Sequence, residues 1–406
     1  MHWLDPYRLA EIHRETYVAI LKSWVPHGKR DEFARLCGIT REYLSCLCAL
    51  DSKREGNVPI HKRYPSPQVA RKIAKALSAP LEIKRSLLES MELAHMNSAR
   101  LYYDSRKSIE PPLILAQLSE LNIAHQQATF GNNLTGVRRA YRVVRDASEN
   151  LLQRIDPEKY PDSFAQLCLY YHDVQCILDR PDKALFYAKM AQFVLESFDM
   201  IESGYTRQGR DNLEINAIRG EAIAYHSLKL DRLVPDILTN RACRTPAYRN
   251  SQSFWEPFVK RDFINATVEI PRFGFRELNK IARQIEALCE QNSDGLTLLL
   301  IHESWLRSLI KHEKIRQAQH ILREEIERLP NLPQAGALHR VLLFKSGADL
   351  AWKVHDHESW ESYVIETVRL MQKAGLKHQL AEIKRSYGSS LLPILEKLGS
   401  SHALAD

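Results

Sequence analysis

Cys37, Cys46 and Cys48, with His61 further on, are side chains of a type that could do chemistry, and that chemistry would be zinc binding. Zinc sites usually leave about two to four residues between paired cysteines. The single residue between Cys46 and Cys48 would point the two thiols apart on a helix, so no metal is expected and the cysteines read as small buried hydrophobes. His302-Glu303, His312-Glu313 and His357-Glu358 each begin a zinc-hydrolase pattern but lack the second histidine one helical turn on. His355 and His357 read as a surface pair. A phosphate loop, a GxSxG elbow and a dinucleotide-binding glycine pattern are all missing. The expectation is a protein that is not an enzyme and needs no cofactor.

Charge is more informative. Residues 1–107 carry 19 Lys and Arg against 12 Asp and Glu, an excess equal to the +7 of the whole 406-residue chain. The remainder sums to zero. A basic head on a neutral body suits a polyanionic partner, because phosphate neutralisation dominates non-specific nucleic-acid affinity. A solvated basic surface is the competing reading. Hydrophobic residues at 44% and charged residues at 26% describe a globular chain with its own core. Apolar runs such as 298–301 are far shorter than the roughly 20 residues of a membrane span. Residues 1–6 show no basic leader followed by an apolar stretch, and seven scattered cysteines suit reduced thiols, so a cytoplasmic protein is expected.

The head divides into short helices. Asp5-Pro6 suits a helix start, and Leu9, Ile12, Ile20 and Trp24 mark an apolar stripe that ends at Pro26-His27-Gly28. A second helix over 29–36 turns Phe33, Ala34 and Leu36 inward. Gly38 suits a left-handed terminus and Thr40 caps a third helix over 41–48, with Leu44 and Leu47 as core contacts. Two short helices about a glycine turn form the unit whose second helix enters a major groove. Pro80 then opens a long helix from 81 to about 100, a connector with Leu87, Leu88, Met91, Leu93 and Ala94 as its apolar positions.

The stretch from Arg30 to Ser45, RDEFARLCGITREYLS, resembles the repressor-type (XRE, Cro/C1-like) helix-turn-helix. Pro65-Ser66-Pro67 and Ile73-Ala74-Lys75-Ala76-Leu77 are similar to the fourth helix of that family. The resemblance covers about 17–81. Cys48 stands where many members carry Glu, and residues 51–64 lengthen the loop after the recognition helix. By position, the resemblance implies that Arg30 approaches phosphate while Thr40, Arg41, Tyr43 and Ser45 face double-stranded DNA. Arginine suits base reading because its fork pairs bidentately with guanine, and the hydroxyls suit phosphate. Lys53, Arg54, Lys62 and Arg63 would reach the backbone or a minor groove from the loop, unless that loop is merely solvated. Partial core packing is the alternative for Tyr43.

Beyond Pro111-Pro112 the pattern is of helices in succession: 113–130 with 136–154, 163–178 with 183–198, 212–228 with 233–239, 277–289 with 295–311, 314–329 with 335–345, then 360–373 and 378–398, the last interrupted near Gly388 and Pro393. Units recurring every ~35–50 residues suggest an α-solenoid, with a non-repeating bundle as the alternative. Asp182 to Ala188 with Ala191, and Ile315 to Ala318 with Pro330, resemble tetratricopeptide (TPR) repeats. The expected fold is therefore all-α: a helix-turn-helix head over 1–80, a connector over 81–110, and a TPR-like repeat body over 111–406.

That combination resembles the peptide-pheromone receptor (RRNPP-type) regulators of bacteria and phages. The resemblance implies a homodimeric transcription regulator in quorum sensing, whose repeats bind a short peptide and alter the spacing of two heads. Family pockets hold peptide backbone with asparagines, since an amide both donates and accepts. Asn212, Asn216 and Arg219 fall at i, i+4 and i+7 on one helix face, and Asn265 and Arg340 are further candidates. The competing class is a regulator whose repeats bind a protein partner or only dimerise.

Overall fold

The computed structural model describes residues 6–25, 27–48, 64–98, 116–118, 120–125, 137–152, 155–178, 180–268, 270, 273–291, 294–332, 335, 337–374, 380, 383–384 and 386–398. Every regular element among them is helical, so the protein is all-α. Among the described residues no helix is long and apolar enough to cross a membrane.

Helix α1, Pro6–Trp24, buries Tyr17, Val18, Ile20 and Leu21 completely. Trp24 ends that helix 37% exposed, so the apolar stripe expected to run through it closes on Val25 instead. Helices α2, Arg30–Cys37, and α3, Arg41–Leu47, are joined through Gly38 at φ 62°, ψ 39°. Gly38 N–H donates to Arg35 O and Ile39 N–H to Ala34 O, at 3.1 and 3.0 Å, satisfying carbonyls that a helix end leaves free. Only glycine adopts this conformation without a Cβ penalty. Leu36, expected to face inward, is 68% exposed, because the eight residues of α2 already bury Phe33, Ala34 and Cys37.

Helices α4, Pro67–Ala76, and α5, Leu81–Ser98, complete the head. Ala70 and Ile73 of α4, with Ile83, Leu87, Met91 and Ala94 of α5, join the same core as Phe33, Leu44 and Leu47. The helix at 81–98 is thus packed along α1 rather than spanning between parts. Tyr64 hydroxyl donates to Glu11, whose other carboxylate oxygen lies 2.7 Å from the buried Arg14 guanidinium.

Packing divides the chain into two compact units, Met1–Leu118 with Ala147–Ala247, and Ser119–Asp146 with Tyr248–Asp406. Described residues on both sides of position 80 share one core. Helix α6, Val137–Leu152, contributes its last residues to the first unit. Helices α7, Pro161–Ile177, α8, Pro181–Ser197, and α9, Arg207–Ser227, pack on one another, and α8 also packs on α1. Proline opens α7 and α8, where its missing N–H costs nothing, and Thr206 caps α9 by accepting from Gly209 N–H at 3.0 Å. Fully buried Ala184, Ala188 and Ala191 let neighbours approach α8 closely. The loop before α9 is closed by Arg210, which reaches Asp162 at 2.8 Å and the Leu195 and Met200 carbonyls. The helix expected over 233–239 is broken into short pieces, with a wider π turn at Ile237–Arg241.

In the second unit the chain forms α10, Gln252–Thr267, α11, Phe275–Gln291, α12, Gly295–Lys311, α13, Ile315–Arg328, α14, Ala337–Lys353, α15, His357–Ala374, and α16, Leu392–Lys397. Helix α10 has no counterpart in the sequence reading because Pro257 lies inside it. Asp294 caps α12 by accepting from Thr297 N–H at 3.0 Å, and α12 buries Ile301, Trp305, Leu306 and Leu309.

Candidate nucleic-acid interface

Leu44 and Leu47 hold α3 in the head core, which leaves its opposite face in solvent. On that face Thr40, Arg41 and Ser45 are exposed. Thr40 Oγ1 accepts from Tyr43 N–H at 3.1 Å, so its hydroxyl caps α3 while staying at the surface. Arg41 Nε lies 3.1 Å from Asp31 Oδ1, a pair more than half exposed at both ends. Tyr43 is half-buried against the core, and burial pushes its hydroxyl pKa up, assisted by Cys46. Arg30 is also half-buried: its Nε is enclosed with no hydrogen-bond partner among the described residues. Burial raises the Cys48 thiol, and the charges of Arg30 and Lys22 oppose that rise. Lys53, Arg54, Lys62, Arg63 and His61 lie outside the described residues.

Cys37 and Cys48 are buried and Cys46 partly so, all as free thiols, and burial pushes Cys37 up to about 11. No group of three metal-ligating side chains occurs among the described residues.

The five candidates in the body fall in different compact units. Asn212, Asn216 and Arg219 share one face of α9, and Arg219 Nη1 donates to Asn216 Oδ1 at 3.2 Å. Asn265 on α10 accepts from Arg307 of α12. Arg340 Nε donates to the Ala335 carbonyl at 3.2 Å, just before its own helix.

A buried polar network in the first unit escaped the sequence reading. Lys189 Nζ on α8 lies 2.5 Å from Glu15 of α1 and 2.7 Å from Glu221 of α9. Glu221 also accepts from Gln192 Nε2 at 3.0 Å and Arg241 Nη1 at 2.8 Å. The π turn carries Arg241, which donates to Gln192 as well. Burial alone would raise Glu221, but Lys189 and Arg241 outweigh it and hold the carboxyl below its ordinary value. Lys189 is pulled down by burial and raised further by Glu221, Tyr225 and Glu15, so it stays an ammonium. The only local signal was a set of polar residues interrupting otherwise apolar helix faces.

The second unit holds its own cluster. His302 Nδ1 lies 2.6 Å from Glu325 Oε1 and its Nε2 lies 3.0 Å from Glu286 Oε1. Arg328 pairs with the same Glu325 oxygen.

No family model, curated protein or solved structure matches this chain.

What the α3 face offers is two hydroxyls and a guanidinium, with the exposed carboxylate of Glu42 beside them, on one helix stiffened by a cap at its start and two leucines beneath. Hydroxyls and a guanidinium fork are the groups that accept phosphate oxygens and the acceptor edge of guanine. The buried networks are different in kind. Their charges are neutralised internally, which suits holding helices in register rather than binding.

Proposed function

We propose that the protein is a sequence-specific DNA-binding transcription regulator that reads duplex DNA with the outer face of α3, as a repressor-type helix-turn-helix does. Its remaining helices form a TPR-like body that senses a short peptide and holds a homodimer. The observation that carries this reading is the exposure of Thr40, Arg41 and Ser45 on a helix whose other face is locked by Leu44 and Leu47, within the part of the chain that holds all the excess positive charge. A dimer of such heads would engage two half-sites about 34–36 Å apart, or a multiple of that spacing.

Selection of bound duplexes from a random pool by the full chain tests it. A two-fold symmetric consensus, with affinity falling steeply as salt rises, is the expected result. Failure to enrich any sequence would overturn the reading.

A second reading, in which the body binds a protein partner or only dimerises, is favoured by one observation. Asn216 and Asn265, offered as peptide-holding amides, already accept from Arg219 and Arg307. Adding a culture-derived peptide fraction to the protein–DNA complex separates the two. Altered retardation supports peptide sensing, and unchanged retardation supports the partner reading.

A further inference from the structure

A cavity of about 240 Å³ lies within the first unit, walled by α1, α5, α6, α7 and α8. Aromatic and apolar side chains form much of its wall, including Phe164, Phe186, Tyr187 and Met190. It is partly open to solvent and also carries polar groups. His13 is 6% exposed, stacks on Phe186 at 4.4 Å with 19° between planes, and has no hydrogen-bond partner among the described residues. Ser86 and Ser90 are buried and equally unpartnered there. All three line one partly open space, so their free donors and acceptors are available to an occupant.

The charge of the lining narrows the occupant. Burial lowers His13 to about 3, leaving it neutral, able to donate from one ring nitrogen and accept on the other. Lys183 Nζ stands 3.9 Å from Glu89, which offsets that carboxylate. Glu149, half-buried in the lining, has no cationic partner among the described residues. Among the described residues the lining therefore carries one negative charge more than its positive charges, beside aromatic faces, an arrangement that attracts cations. Its volume lies below the ~300–1,000 Å³ of pockets for drug-sized ligands, so it fits a molecule of about one ring.

We propose that this cavity binds a small primary amine with an aromatic or apolar body, its ammonium toward Glu149 and its body against Phe186 and Tyr187. Because α1 and α5 belong to the head core and α7 and α8 do not, the occupant would bridge the head to the helices behind it. This goes beyond the proposed DNA and peptide binding and does not require either, since the free protein is what binds.

Calorimetry on the full chain with phenethylamine and tyramine tests the proposal, with phenylacetate as a probe of matched size and opposite charge. Saturable one-to-one binding of an amine is expected, with phenylacetate at least about tenfold weaker. Glu149→Gln should lose about tenfold in amine affinity with an unchanged melting temperature. Ser90→Leu should fill the space and abolish binding. If circular dichroism shows that Ser90→Leu does not fold, Glu149→Gln decides alone. Absence of saturation by both amines at about 10 mM, equal binding of phenylacetate, or unchanged affinity in Glu149→Gln would each overturn it.

Discussion

Lys189 is shared between Glu15 and Glu221, so a single ammonium ties α1 to both α8 and α9. The two carboxylates differ in what they would lose with it. Glu221 is almost fully enclosed and keeps Arg241 and Gln192, whereas the Glu15 side chain is a quarter exposed and is rehydrated easily. Lys189→Met should therefore destabilise the first unit by about 1.5–3 kcal/mol, the range for a lost hydrogen bond to a charged group. Glu15→Gln should cost clearly less. Urea unfolding of both variants is the check, and equal losses would place the strain on Glu15 instead.

Arg41 is held by Asp31 in the free protein. The pair is exposed enough that its contribution to stability is small, but its effect on binding is not. Arg41→Ala should weaken the selected duplex by about 1–3 kcal/mol, and with Tyr43→Ala should remove sequence preference while helicity persists. Asp31→Asn frees the guanidinium and removes a charge that repels phosphate, so non-specific duplex affinity should rise about two- to threefold. Retardation assays across a salt series measure both. A well-folded double variant that keeps operator affinity would remove α3 from the interface.

The two imidazole hydrogen bonds of His302 make stability of the second unit depend on pH. Burial lowers His302, but Glu286 and Glu325 outweigh it and raise it above the ordinary 6.5. Its contribution is then fully present below 6.5 and is lost as pH rises through the raised folded value. Glu286 works in the opposite sense: held below 4.5 chiefly by its hydrogen bond from His302, it stabilises above 4.5 and ceases to do so as pH falls through its lowered value. Urea midpoints should therefore decline as pH rises above 6.5 through the raised folded value, and His302→Gln should flatten that decline. An unchanged slope in the variant would assign the pH dependence elsewhere.

Gly220 faces His172 at the α7–α9 contact, and a Cβ there would lie 3.1 Å from two ring atoms. The ring cannot retreat easily. Its Nε2 is 2.9 Å from the Gly220 carbonyl and its Nδ1 3.0 Å from Asp173. Alanine gains about 1 kcal/mol in helix propensity, while overpacking costs about 1–3 kcal/mol. Gly220→Ala should be destabilising on balance, read as a lowered melting temperature, and a raised one would show that α9 can shift.

The sequence alone determined the features that close within one helical turn. Gly38 and Thr40 were legible because a left-handed terminus and a hydroxyl cap satisfy backbone groups no more than four residues away. Leu44 and Leu47 were legible from helical spacing, and the head's excess charge needed only counting. Leu36 was misread because a helix as short as α2 presents two plausible apolar faces, and only its neighbours decide between them. Helix α10 was missed because an interior proline breaks the pattern although packing on α11 and α12 sustains the helix. The spacing of Asn212, Asn216 and Arg219 did place them on one face, yet their pairing was decided by side-chain reach. Tertiary structure alone brought Glu15 to Lys189, and His13 to Ser86 and Ser90, because burial and charge partners depend on which distant helices meet, and no local periodicity encodes that.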